Sequence, residues 1–157
     1  MKKKRVVIIS LLLLLVSVIG ISSYFLFKDK INLLDVDHSA VDWNGKKQKD
    51  TSGEENTIAI PGFEKVTLYA NETTQAVNFH NPEINDYYFK ISLIHPDGSV
   101  LWISDLIEPG KGMYSIELEK TLAVGEYENA VLKYECFSLN DQSPLNGSEI
   151  NLKLVVV

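Results

Sequence analysis

Three histidines, one cysteine and scattered carboxylates are the residues with most chemistry to offer. A zinc centre needs two or more His or Cys ligands brought together, as in HExxH or paired CxxC. His38, His80 and His95 lie 42 and 15 residues apart with neither spacing. Asp35-Val36-Asp37-His38-Ser39-Ala40 opens like a calcium loop, yet Ala40 stands where the loop needs Gly and Lys46 where it needs Glu. Cys136 alternates with Leu132 and Tyr134, the pattern of a small buried hydrophobe, and one cysteine builds no intramolecular disulfide. There is no nucleophile elbow and no paired-carboxylate signature. No catalytic, cofactor-binding or metal residues are therefore expected, and the chain reads as a non-enzyme.

Recognition chemistry is the better fit. Asn81-Pro82-Glu83-Ile84-Asn85-Asp86-Tyr87-Tyr88 has the composition of a turn, since Asn-Pro starts turns and Asn or Asp side chains satisfy nearby backbone. It would also present Tyr87 or Tyr88 beside polar groups, as binding loops do. Trp102 lies in Val100-Leu101-Trp102-Ile103, which is apolar on both faces. It is expected either in a core or on a strand that a partner covers. Tyr87, Tyr88 and Trp102 are the candidate partner contacts. Leu122, Gly125 and Tyr127 form an L-x-x-G-x-Y string similar to the tyrosine corner of Greek-key sandwiches, a topological device.

The elements that must position these residues alternate with period two. Val66, Leu68 and Ala70 alternate with Lys65, Thr67 and Tyr69, and Phe89, Ile91 and Leu93 with Tyr88, Lys90 and Ser92. The sets Val77/Phe79, Tyr114/Ile116/Leu118, Ala130/Leu132/Tyr134/Cys136 and Ile150/Leu152/Leu154/Val156 do the same. Such alternation sets one face in a core and one in water. Pro61-Gly62 and Pro109-Gly110 predict type II turns, and His95-Pro96-Asp97-Gly98 a type I turn closing a hairpin. Seven or eight short strands over residues 58–157 predict an all-β, immunoglobulin-like, two-sheet antiparallel sandwich.

Ahead of it, Val6 to Phe27 runs twenty-two residues without a charge, behind Lys2, Lys3, Lys4 and Arg5. As a helix it would span about 33 Å, enough for a bilayer core. The run is longer than a signal-peptide core, so a retained anchor is the first expectation, and cleavage after Ser22 or Ser23 followed by secretion the second. The positive-inside rule puts residues 1–5 in the cytosol and the C-terminal part outside. Residues 28–57 are expected to be a flexible tether. Residues 58–157 hold six Lys against fourteen Asp or Glu, which argues against a nucleic-acid partner. Fourteen Lys against one Arg, with eleven Asn, suggest an AT-rich genome and, with such an anchor, a Gram-positive bacterium.

Ile58-Ala59-Ile60-Pro61-Gly62-Phe63, then Phe79 to Asn85 running into Tyr87-Tyr88-Phe89, then Glu108-Pro109-Gly110-Lys111 and Leu122 to Tyr127 carry a resemblance. Over residues 57–157 the chain resembles a family of small membrane-anchored or secreted β-sandwich proteins of Gram-positive bacteria. The resemblance implies the fold and the envelope location, and carries no functional residue over. Some members bear an RNA-methyltransferase label, which this chain, without a Gly-rich nucleotide loop or a basic face, does not support. The expected role is an extracellular interaction module of the cell envelope, meeting another envelope protein or a glycan. The alternatives are a structural spacer without its own ligand and, behind it, an envelope hydrolase.

Overall fold

A computed structural model describes residues 33–45 and 59–157, and among these there is no helix. The expected anchor at 6–27 and basic tail at 1–5 lie outside the described residues. Eight strands follow in order: β1 (Val41–Asp42), β2 (Lys65–Leu68), β3 (Thr74–His80), β4 (Tyr87–Ile94), β5 (Val100–Ile103), β6 (Lys111–Glu117), β7 (Gly125–Ser138) and β8 (Pro144–Val156). They form a three-stranded sheet, β1-β6-β3, and a five-stranded sheet, β2-β8-β7-β4-β5. Phe79, Met113 and Ile116 of the first sheet share one core with Phe89, Ile91, Leu93, Leu132, Tyr134 and Leu154 of the second. Each such side chain contributes about 1.5–3 kcal/mol through burial, and all of them sit at the apolar positions of the period-two pattern except Met113.

Met113 marks a departure. It is buried, whereas Tyr114, expected on the core face with Ile116, is exposed. The register between β3 and β6 shifts between Ala76 and Phe79, where β3 carries one extra residue. A bulge of this kind re-aims the side chains beside it. The turns follow expectation at two of three places. Gly98 (φ 85°) donates its N–H to His95 O in the β4–β5 hairpin, and Gly110 (φ 77°) closes the Glu108–Lys111 turn. Gly62 has no positive φ, so Pro61-Gly62 does not make a type II turn. Phe63 instead sets its ring edge-on to Phe79 at 5.5 Å, drawing the segment along the core.

Two further expectations are corrected. The fold is not purely antiparallel, because β2 runs parallel to β8, Lys65 opposite Lys153 through Leu68 opposite Val156. After β2 the chain leaves the five-stranded sheet for β3, so β2 is free to lie beside the final strand in the same direction. The tether expected over 28–57 is also not free throughout. Residues 34–45 form a strap across both sheets. Gln142, in the β7–β8 turn, clasps Leu34 with both amide groups, accepting from Leu34 N at 2.6 Å and donating to Leu34 O at 3.0 Å. Asp37 N and Asp35 O bond the Leu106 backbone, and Val41–Asp42 then pairs with β6. Trp43 lies over the end of β3, stacked on buried His80 at 3.8 Å and donating its indole N–H to Asn78 Oδ1 at 2.7 Å. A side chain at Gly45 or Gly112 would collide with that indole, so both positions need glycine. A two-residue strand has no readable period, which is why this segment passes for a linker in the sequence.

One core group is poorly served. Tyr134 is fully buried, edge-on to Phe89 at 5.2 Å, and its hydroxyl has no hydrogen-bond partner among the described residues. Burial alone pushes its ionisation upward. A buried hydroxyl without a partner loses its water and gains nothing back. Tyr134→Phe is therefore expected to raise stability by about 1 kcal/mol in chemical denaturation. A loss of stability would show that the hydroxyl is bonded after all.

Candidate interaction surfaces

The long β7–β8 hairpin gives the molecule two ends. At one, the β7–β8 turn around Gln142 receives the strap at Leu34. At the other, the start of β7 lies beside the end of β8, with Gly125 opposite Val156. Fourteen residues of β7 separate them, about 45 Å at strand rise. Backbone bonds gather three segments at this second end: Ala70 N donates to Val157 O, Val157 N to Leu68 O, and Asn71 N to Leu122 O. These segments carry two large apolar side chains that face water, Tyr69 (54 % exposed) and Val124 (71 % exposed).

The main chain that carries them is fixed by side-chain hydrogen bonds. Gln75 on β3 is buried, and its amide accepts from Tyr69 N at 2.7 Å while donating to Tyr69 O and Glu72 O at 2.8 Å. This clamp replaces the ladder bonds that the chain loses where it turns at Asn71, whose φ is 61°. Val124 is carried by the corner that the sequence anticipated. Tyr127 Oη donates to Ala123 O at 2.9 Å, closing a loop over Ala123 to Gly125, with Leu122 turned into the core. The Tyr127 ring also meets His95 edge-on at 5.0 Å. That hydroxyl bond is open to solvent, so Tyr127→Phe is expected to cost only about 1 kcal/mol, read as a shifted denaturation midpoint with unchanged slope.

The residues singled out from sequence are distributed differently. Trp102 is not a partner contact. It is 7 % exposed, stacked on Phe79 at 5.8 Å, and belongs to the core. Its neighbours Val100 and Ile103 face outward instead. Tyr87 and Tyr88 begin β4, half-buried, opposite Ser138 and Phe137. Tyr87 lines an open hollow of about 480 Å³ with Asp86, Asn140, Asp141 and Leu145, at the strap end. The preceding loop is a structural knot. Asn81 and Asn85 are buried, and Asn81 Nδ2 donates to Tyr87 O at 2.7 Å and Ile107 O at 2.9 Å. Asn85 donates to Asn81 Oδ1 and Ala59 O and accepts from Ala59 N, all within 2.9 Å. Ile84, at its tip, is exposed.

The titratable residues serve the fold. His38 is exposed on the strap, His80 lies under Trp43, and His95 Nδ1 sits 3.0 Å from Asp97 in the β4–β5 turn. Asp37 accepts from Ser39 N at 3.0 Å and Asp105 N at 3.2 Å, which fastens the strap. The Lys111 ammonium, bonded to Asp42 at 2.5 Å, holds that carboxyl below its usual range. Cys136 is buried, and desolvation pushes its thiol up to about 11, away from nucleophilic chemistry at neutral pH.

Sequence reasoning passed over Tyr69, Val124 and Gln75. The first two left a signal: Tyr69 stands at a water-facing position of its strand pattern, and Val124 is apolar inside a turn. Gln75 left none, because its partners are main-chain groups. No family model, curated protein or solved structure matches the chain.

Proposed function

We propose that the chain is a membrane-anchored, extracellular, non-enzymatic interaction module of a Gram-positive cell envelope, with an immunoglobulin-like sandwich as its outer domain. The observation that carries the reading is the pair Tyr69 and Val124: two large exposed apolar side chains on main chain that is fixed by a buried amide clamp and a tyrosine corner. A pre-fixed main chain leaves less entropy to lose on contact, which is what a recognition surface needs. The charge-free run from Val6 to Phe27, long enough to cross a bilayer core, supports the anchored part of the reading. The partner would be another envelope protein or a glycan.

A spacer without a ligand is the competing role, and it predicts no consequence from altering these two residues. The double variant Tyr69→Ser/Val124→Ser is expected to keep stability within about 0.5 kcal/mol, since both side chains are exposed. It should abolish capture of the envelope partner in crosslinked, intact cells. Undiminished capture by a folded double variant would favour the spacer or a different face.

A further inference from the structure

We infer that Asn146, in preference to Asn44, is a modification site, where the side-chain amide closes on the main chain of Gly147 and converts with age to aspartate and isoaspartate. The chain holds two Asn-Gly pairs, Asn44-Gly45 and Asn146-Gly147. A glycine after asparagine has no side chain to block attack on the amide, so both pairs have the local chemistry. The fold treats them differently. Tyr134 pairs with Ser148 and Cys136 with Leu145, so Asn146 and Gly147 together oppose the single residue Glu135. A bulge of this kind leaves its extra residue out of the ladder and interrupts the regular extended backbone. Asn146 and Gly147 are both exposed, and the Asn146 side chain has no hydrogen-bond partner among the described residues. Gly147 also lines an open hollow of about 370 Å³, so water reaches the pair. Asn44 is tied down instead. Its Oδ1 accepts from Tyr114 Oη at 2.9 Å, its N–H donates to the same oxygen at 3.0 Å, and Gly45 lies against the Trp43 indole.

The Gly147 main-chain nitrogen gives its proton to solvent base and bonds to Asn146 Cγ. The Cγ–Nδ2 bond breaks, and Nδ2 leaves as ammonia with a proton from water. Water then opens the five-membered imide. Cleavage between the nitrogen and Cγ gives aspartate. Cleavage between the nitrogen and the main-chain carbonyl carbon gives isoaspartate, whose chain runs through the side chain. Water enters, ammonia leaves, and nothing is oxidised or reduced. Each product adds a negative charge opposite Glu135 to a chain whose net charge is already −6. Isoaspartate also lengthens the main chain at the bulge, where the β7–β8 ladder must yield. Closure at Asn44 first requires loss of the Tyr114 bond, which slows it by about fivefold.

Peptide mapping by mass spectrometry of the full chain, aged in detergent micelles at mildly alkaline pH, tests this. Position 146 should gain the mass difference between an amide and an acid, and chromatography should split that peptide into aspartate and isoaspartate isomers. Asn44 should lag by about fivefold or more. Tyr114→Phe, which removes only an exposed hydroxyl, should speed conversion at Asn44 by that factor and leave the rate at Asn146 unchanged. In urea the two sites of the unaltered chain should convert alike. An Asn146 that stays intact in the folded chain while the urea-unfolded chain converts it would overturn the inference, as would equal rates at Asn44 and Asn146 in the folded chain. Aspartate without isoaspartate would show direct hydrolysis and overturn the imide route. An Asn44 that stays slow in Tyr114→Phe would overturn the basis assigned to the selectivity.

Discussion

Asn81→Ala is expected to destabilise the domain by about 3 kcal/mol. The side chain makes three buried bonds, to Tyr87 O, to Ile107 O and from Asn85 Nδ2. Truncation leaves all three groups without a partner where water is excluded, and each orphaned group costs about 1 kcal/mol or more. Asn81→Asp is the sharper comparison. It keeps the shape and one acceptor, but a carboxylate faces two carbonyls with no proton to give, so it should be at least as damaging. Equilibrium denaturation in urea checks both. A cost below about 1 kcal/mol for Asn81→Ala would mean that the loop relaxes or admits water, and that the Asn81–Tyr88 segment is an adaptable surface, not a knot.

Gly147→Ala should cost a comparable amount by a different route. Gly147 lies where the β7–β8 register shifts between Tyr134 and Cys136. A Cβ there would come within 2.3 Å of the Tyr134 carbonyl oxygen, which belongs to the backbone of the central strand and cannot swing aside. The two longest strands would have to separate locally, breaking ladder bonds beside the core. About 3 kcal/mol is expected, at the upper end of overpacking costs. Gly62→Ala is the control, because nothing lies within 4 Å of its would-be Cβ and its φ is not positive. It should be neutral, or stabilising by a few tenths of a kcal/mol through the unfolded chain. Similar losses at both glycines would remove the steric explanation.

The strands were legible because a half-buried strand writes its burial into every second residue. Leu68, Phe89, Ile91, Leu132 and Leu154 all follow that pattern into the core. The Gly98 and Gly110 turns were legible for an equally local reason, a residue type fitted to a positive φ. What was hidden depends on distant partners. The parallel seat of β2 beside β8 joins residues nearly ninety apart and leaves no local mark. Gln75, Asn81 and Asn85 look like surface amides until the carbonyls they bond are brought to them by the fold. Trp102 stayed open between core and covered strand because Leu101 and Trp102 are both buried, so β5 shows no alternation to read, and its burial bears out the core alternative. The strap was hidden by its brevity, although a lone Trp43 in a polar stretch was a sign that something there is covered.

The proposed interaction surface at Tyr69 and Val124 is tested most directly by position-specific photocrosslinking in intact cells. A photoreactive phenylalanine analogue replaces Val124 in one strain and Glu83, exposed in the Asn81–Tyr88 loop, in another. The account predicts a discrete adduct of defined mass from position 124 and none from position 83. The reagent-accessible outer side of the membrane should hold that adduct. No adduct at 124, or the same adduct from both positions, would contradict a dedicated surface at this end of the domain.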